Sequence, residues 1–182
     1  MDAIELLLTR QSCPRLIAPA PDEDQLNTIL SAGMRVPDHA GLTPWEFIIS
    51  TGDGLEKLGE LFVAASKAAG EDETVLVKVG NMPLRAPMVI TVVAKVVEHP
   101  KVPVLEQHIA AGCACMAMQQ AAFALGLGGI WRTGGLAFNQ QLHQDLGLSA
   151  DDQIVGFLYL GTPAVNAPIK PLKSADHLVR YL

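Results

Sequence analysis

The sequence is short of charge and of aromatic side chains, and what it lacks excludes several classes of protein. Of its 182 residues, 18% are charged and 5% aromatic, against 49% hydrophobic. The net charge is −6 and no cluster of lysines and arginines stands out, which argues against nucleic acid as a partner. The length predicts a single domain over residues 1–182. A composition this apolar predicts either an unusually large core or apolar surface buried against a second copy of the chain, and we favour the second copy.

Cysteine is scarce as well. The three thiols, Cys13, Cys113 and Cys115, are an odd number, which argues against a disulfide framework, and we expect small packed thiols. The start of the chain lacks the basic segment of a signal peptide, and the longest apolar run, 109–131, is interrupted by two glutamines and several glycines. We therefore expect a cytoplasmic protein without a membrane partner.

Common catalytic motifs are missing from the sequence. There is no G-x-S-x-G, H-E-x-x-H, P-loop or dinucleotide fingerprint. The histidines have no carboxylate or thiol at a metal-ligand spacing, so no metal site is predicted, and His108 is expected to be a structural residue with satisfied hydrogen bonds. The acidic pairs Glu23–Asp24 and Asp151–Asp152 are expected to be solvated helix starts.

Periodicity predicts the order of the elements. Helical patterns open the chain and recur between successive strand patterns, and the helix over 104–125 is apolar nearly all round, which indicates burial on all sides. Strands are predicted at 45–51, 88–97, 128–133 and 153–161. Residues 163–182 contain three prolines and are predicted to form an extended arm. This order is typical of an α+β fold, a small central sheet flanked by helices.

Two polar segments follow the first two predicted helices and are candidates for ligand binding. Arg10, Gln11 and Ser12 combine a guanidinium with a hydroxyl, which suits a phosphate, although a helix-terminal arginine is often a surface residue. Arg35 and His39 lie on either side of a helix end that Pro37 enforces, where side chains can face a ligand. The alternative for this segment is a surface pair of Arg35 with Asp38 beside an ordinary loop histidine.

Two further segments lie late in the chain. Glycines flank Trp131, Arg132 and Thr133, so the backbone there can approach a flat ligand closely, and the alternative is a strand with a packed tryptophan. The long helix ends in small and apolar residues that are also consistent with plain core packing. They are Ala121, Ala122, Phe123, Ala124, Leu125 and Gly126.

Together these segments resemble the nitroreductase family over nearly the whole chain. The likeness includes the helix ending in 10–12, the stretch 32–37 with 43–45, the alanine-rich helix 112–126 and the ending 154–163. It is strongest to the short bacterial NAD(P)H nitroreductases, which share Asp38-His39 and the Trp131-Arg132 segment. Gln11 departs from the pattern, because a second basic residue is usual there.

The resemblance implies an intertwined homodimer with a mostly antiparallel sheet, a C-terminal arm and FMN at the interface. Each FMN is implied to be contacted by both subunits. The implied FMN contacts are Arg10, Gln11, Ser12, Arg35, His39, Trp131, Arg132 and Thr133. The implied contacts to NAD(P)H are Ala121, Ala122, Phe123, Ala124, Leu125 and Gly126.

The implied reaction is ping-pong hydride transfer from NAD(P)H through flavin N5 to a nitroaromatic compound, a quinone or a similar acceptor. No protein residue is predicted to be catalytic, because the flavin carries the chemistry. Three alternatives stay open: a relative that reduces enones or removes halide, a slow flavin-storage protein, and a structural dimer without flavin.

Overall fold

The computed structural model describes residues 1–165 and 167–182, and that part of the chain contains six α-helices and five β-strands. The helices are α1 (Ala3–Thr9), α2 (Glu23–Gly33), α3 (Asp53–Ala68), α4 (Glu73–Gly80), α5 (Val104–Ala124) and α6 (Gln140–Asp145). The strands are β1 (Leu16–Ile17), β2 (Trp45–Thr51), β3 (Met88–Ala94), β4 (Gly128–Arg132) and β5 (Gln153–Pro163). The four predicted strands and the predicted long helix, α5, are confirmed to within three residues at each end, whereas the two-residue β1 is not predicted.

The five strands form one antiparallel sheet. β5 lies at its centre and pairs directly with β3, with β4 through residues 157–161 and with β1 through residues 162–163. β2 pairs with β3 and ends the sheet. With helices on both faces, this confirms the predicted α+β fold and its antiparallel sheet.

Two layers of helices cover the two faces of the sheet. On one face, α3 packs Phe62 against Phe157 of β5, with ring centroids 5.0 Å apart. On the other face, α2 and α5 pack Ile29 and Met118 against Ile90 and Leu158. Every residue of β3 is buried, because both of its faces are covered.

Helix α5 is apolar on its outer side as well as its inner side. Ala111, Ala114 and Met118 are fully buried, whereas Leu105 and Ile109 on the outer side are 68% and 56% exposed. The prediction of burial on all sides is therefore wrong for the single chain, which leaves one side of this helix open.

Two expectations about polar residues are also wrong. Asp152 is 4% exposed, and its carboxylate accepts hydrogen bonds from Lys95 Nζ at 2.5 Å and from the Ser149 amide at 2.8 Å. Burial alone would raise the pKa of Asp152, but these bonds outweigh it and hold the pKa below its ordinary value. The Nε2 atom of His108 is buried, and no partner for it lies within the described part of the chain.

The cysteines divide into two groups. Cys115 is a packed thiol as expected, and burial raises its pKa to about 12. Cys13 and Cys113 are only partly buried. None of the helices in the described ranges has the length and apolar character required to cross a bilayer.

Candidate functional site

The segment after α1 is held against the sheet. Asp2 caps the helix by accepting from the Glu5 amide at 2.8 Å, and the chain leaves the helix at Arg10. The Cys13 amide then donates to the Gly129 carbonyl at 2.9 Å, which fixes residues 10–13 beside β4.

This segment borders a cavity of about 450 Å³, within the size range of small-ligand sites. The cavity, named here the arm cavity, is lined mainly by apolar groups from the ends of α5 and β5 and from the arm. Its lining residues are Met1, Gln11, Ser12, Cys13, Pro14, Arg15, Phe123, Gly126, Leu127, Gly128, Pro163, Val165, Ala167 and Ile169. The structure thus brings Gln11 and Ser12 together with Phe123 and Gly126.

The other residues from the end of α5 differ in exposure. Ala122 is fully buried in the core, so its side chain packs as the plainer alternative requires. Ala124, Leu125 and Gly126 are exposed, and Gly126 has a φ of +79° as the helix ends.

His39 lies in a different place, a groove of about 270 Å³ named here the His39 groove. Its ring Nδ1 is 2.7 Å from Glu106 Oε2 in the first turn of α5, and both side chains are about half exposed. Ile109, Ala110 and Cys113 form the helix side of the groove.

The loop that carries His39 is held in an unusual conformation. Ala40 and Thr43 have φ values of +65° and +49°, in the left-handed region that non-glycine residues avoid. The Asp38 carboxylate accepts from the amides of Leu42 and Thr43 at 2.9 and 2.8 Å. Asp38 therefore closes its own loop and does not form the alternative pair with Arg35, which is exposed near the end of α2.

The arm cavity and the His39 groove lie at opposite ends of α5. Glu106 and Phe123 are seventeen residues apart on that helix, which corresponds to about 25 Å at 1.5 Å per residue. Within one chain, His39 and Ser12 therefore cannot contact the same mononucleotide.

Residues 131–133 alternate between the two faces of the sheet, as a strand requires. Trp131 packs over Gly112 of α5, and its indole N–H donates to the Val155 carbonyl at 3.3 Å, which Thr133 Oγ1 also contacts at 3.3 Å. A Cβ at Gly156 would overlap the indole, so this glycine makes room for it. The packed tryptophan is thus the arrangement in the single chain.

Arg132 points to the opposite face. Its guanidinium lies over the Tyr159 ring, 5.9 Å from the centroid. Burial raises the pKa of the Tyr159 hydroxyl, and this outweighs the opposing effect of Arg132 and Arg85. In the single chain, Arg132 thus lies on the opposite face of β4 from Trp131, and its contact with FMN stays a prediction.

Glu106 is a residue of this site that sequence reasoning missed. It is the only Asp, Glu, Lys or Arg in residues 104–124, and it lies in the first turn of this otherwise uncharged helix. An isolated carboxylate at the start of such a helix is the signal that could have found it.

Comparison with known proteins gives a consistent result. The sequence model of the Nitroreductase family matches residues 7–162. The Escherichia coli K12 protein named "Putative NAD(P)H nitroreductase YdjA" is 50% identical over 167 residues, which are 92% of this chain and 91% of that protein.

Solved structures share the fold. A nitroreductase-like family protein from Bacillus cereus aligns with a TM-score of 0.84 and 22% identity, covering 100% of this chain and 96% of the other. A nitroreductase with bound FMN from Bacteroides fragilis aligns with a TM-score of 0.71 and 23% identity, covering 98% and 97%.

Proposed function

The chain belongs to the nitroreductase family, and from that premise we propose that it is a homodimeric FMN-dependent oxidoreductase. NAD(P)H is the reductant, and a nitroaromatic compound, a quinone or a similar compound is the acceptor. The relative with 50% identity carries NAD(P)H nitroreductase in its name, and a structural relative holds FMN, which supports this assignment.

The observation that carries the proposal is the separation of two half-sites along α5. Gln11 and Ser12, next to Arg10 in the chain, lie at the end of the helix near Phe123, and His39 lies at the end near Glu106. When two α5 helices pack antiparallel about a twofold axis, the His39 end of one meets the Ser12 end of the other. Each flavin then contacts both subunits, and two equal sites form.

The outer side of α5 supports this packing. Leu105 and Ile109 are exposed there and form an apolar surface that a second helix could cover. The exposed Leu7 and Leu8 of α1 add to the apolar surface that a second copy would cover.

The residues fit an anionic, flat cofactor. In a chain of net charge −6, Arg10 and Arg15 bring positive charge to the loop of Ser12. One well-placed arginine contributes about 4 kcal/mol at an effective dielectric near 20, before desolvation. Micromolar binding requires about −8 kcal/mol, so two arginines and burial of the ring suffice.

The remaining predicted FMN contacts differ in whether their present side-chain positions would allow contact with the flavin. Trp131 and Thr133 lie on the α5 face and can border the ring, as can Arg35 of the second copy beside His39. Arg132 contributes only after leaving Tyr159.

The residues bind and orient rather than carry out bond chemistry. FMN, when bound, supplies the atom N5 that takes up and gives out the hydride, so no general base is required. Glu106 engages Nδ1 of His39, so Nε2 is the ring nitrogen that can hydrogen-bond the edge of the flavin. In this proposal, reductant and acceptor bind at the same flavin face in turn, which gives ping-pong kinetics.

The test is the visible absorption spectrum of the purified protein, followed by anaerobic addition of NADH and of NADPH. We expect a yellow dimer whose flavin absorption is bleached within the time of a catalytic cycle. Slow bleaching would favour flavin storage, and a colourless monomer that does not take up added FMN would refute the proposal. A panel of nitroaromatic, quinone, enone and halogenated compounds then identifies the acceptor.

Individual residues can be tested through FMN retention. Arg10→Ala should raise the dissociation constant of FMN at least tenfold, because a charge beside the phosphate is lost. Lys57→Ala, an exposed change on α3, is the matched control and should leave it unchanged. Equal retention in both variants would remove Arg10 from the site.

A further inference from the structure

The side chain of Gln11 joins two segments far apart in the sequence. Its Nε2 donates to the carbonyls of Ala167 at 3.3 Å and Pro168 at 3.0 Å. Its Oε1 accepts from the amide of Lys170 at 3.1 Å. Both the nitrogen and the oxygen of the side-chain amide are thus bonded to the C-terminal arm.

These bonds are the main polar attachment of the arm. Pairing with β1 ends at Pro163, and the Ala164 amide donates to the Arg15 carbonyl just beyond it. Within the described residues 167–182, every hydrogen bond to the rest of the chain involves Gln11. This stretch is exposed throughout, so few packing contacts replace those bonds.

The attached arm forms one wall of the arm cavity. Val165, Ala167 and Ile169 line it on the arm side, and Phe123 and Leu127 line it from the end of α5. If residues 167–170 detached, the cavity would lose that wall and open to water. Gln11 therefore shapes the cavity through the arm.

Glutamine has the chemistry that this attachment requires. An extended backbone presents carbonyl oxygens and an amide N–H, so the side chain must donate and accept at once. Lysine and arginine only donate, and an ionised glutamate only accepts. Neither can replace the full set of bonds.

We propose that Gln11 is a positioning residue that docks the C-terminal arm as a wall of the FMN site, so that arm docking and FMN binding are coupled. This rests on the proposed function for the identity of the ligand. Coupling of this kind is reciprocal: FMN stabilises the docked arm by the same factor by which the docked arm strengthens FMN binding.

The experiment is hydrogen exchange resolved at the Lys170 amide, in the full-length protein with and without FMN. In the wild type we expect exchange of this amide to be at least tenfold slower than in Gln11→Leu, and slower still with FMN. Gln11→Leu and Gln11→Glu should both weaken FMN binding at least fivefold. Gln144→Leu, the same change at an exposed position of α6, should alter neither quantity.

Two measurements keep the outcomes apart. Thermal unfolding should be unchanged in Gln11→Leu, which shows that the effect lies in the arm and not in the fold. If wild-type protein does not bind FMN, the proposed function fails, while the exchange comparison without FMN still tests the attachment. If wild type and Gln11→Leu bind FMN equally, and Lys170 exchange does not respond to FMN, the positioning role is overturned and the proposed function stands.

Discussion

The helices α3 and α5, on opposite faces of the sheet, differ in the side chains that they turn away from it. α3 buries Leu55, Leu58 and Phe62 and turns charged residues outward, among them Glu56 and Lys57. α5 buries an equally apolar inner side but turns Leu105 and Ile109 outward. The outer side of α3 is polar, whereas the outer side of α5 leaves apolar side chains exposed in the single chain.

This difference assigns separate tasks to the two faces. The α3 face contributes stability of the single chain, since its core is closed. In the proposed dimer, the outer side of α5 contributes association, and the half-sites at its ends become one site through that association. Variants on the two faces should therefore change different measured quantities.

The largest expected effect is on the closed face. Phe62→Ala should lower the free energy of unfolding by about 3–5 kcal/mol, because a fully buried ring packed edge-on against Phe157 is lost and a cavity remains. Denaturant unfolding measures this free energy. The dissociation constant of the proposed dimer should be the same for the folded variant as for the wild type. Phe138→Ala, at a 62% exposed position, is the control. A similar loss in both variants would contradict the closed core.

The next effect is on the open face. Ile109→Lys should raise the dimer dissociation constant about a hundredfold or more, because burial of each isoleucine contributes about 1.5–3 kcal/mol and a twofold interface holds two. Sedimentation velocity over a concentration series measures the change, and FMN retention should fall with it. Ala64→Lys, on the exposed side of α3, should leave the dimer intact. Equal behaviour of the two lysine variants would show that the two helices do not differ as described.

A smaller effect on the free energy of unfolding is expected for Asp152, which lies directly before β5. Asp152→Asn should lower the free energy of unfolding at pH 7 by about 1–3 kcal/mol, through weaker bonds to Lys95 and to the Ser149 amide. The lower part of this range is expected, since Lys95 is 37% exposed. Asp151→Asn, at the exposed neighbouring position, is the control.

The sign of the pH dependence follows from the lowered pKa of Asp152. Its stabilisation is complete above the ordinary aspartate pKa of about 4 and is lost as the pH falls through the lower pKa of the folded state. The difference between wild type and Asp152→Asn should therefore shrink in acid. The pKa of Lys95 is raised, chiefly by its hydrogen bond to Asp152, so its own contribution is lost only in strong alkali. A difference that grows in acid would refute this account.

The sequence alone predicted where helices and strands begin and end, but it did not predict which distant residues pair with them or bury them. Periodicity located β2 and α5 within a residue, because alternation and helical repeats are local properties. It missed β1, which has two residues and exists only because β5 is present to pair with. It also placed Asp152 in water, because the partner that buries it, Lys95, is 57 residues away.

The candidate site shows the same limit. Arg10–Ser12, Arg35–His39 and 131–133 were selected as one set, and their grouping still awaits a test. The sequence could not predict the orientation of the side chains. Trp131 and Arg132 point to opposite faces of the sheet, and the Gln11 side chain bonds to the C-terminal arm. These orientations depend on pairing register and on contacts across more than 150 residues, which no local pattern contains.

The smallest expected effects are on stability and concern two alanines, Ala40 in the loop of His39 and Ala64 in α3. Ala40→Gly should stabilise the chain by about 0.5–1 kcal/mol, because the left-handed conformation costs about 1–2 kcal/mol for alanine and glycine's greater freedom when unfolded offsets part of the gain. Ala64→Gly, within α3, should destabilise it by about 0.5–1 kcal/mol. Thermal unfolding of both variants measures the two signs. Destabilisation by Ala40→Gly would mean that the loop of His39 is not held in the left-handed conformation, and that the orientation of His39 toward Glu106 has another cause.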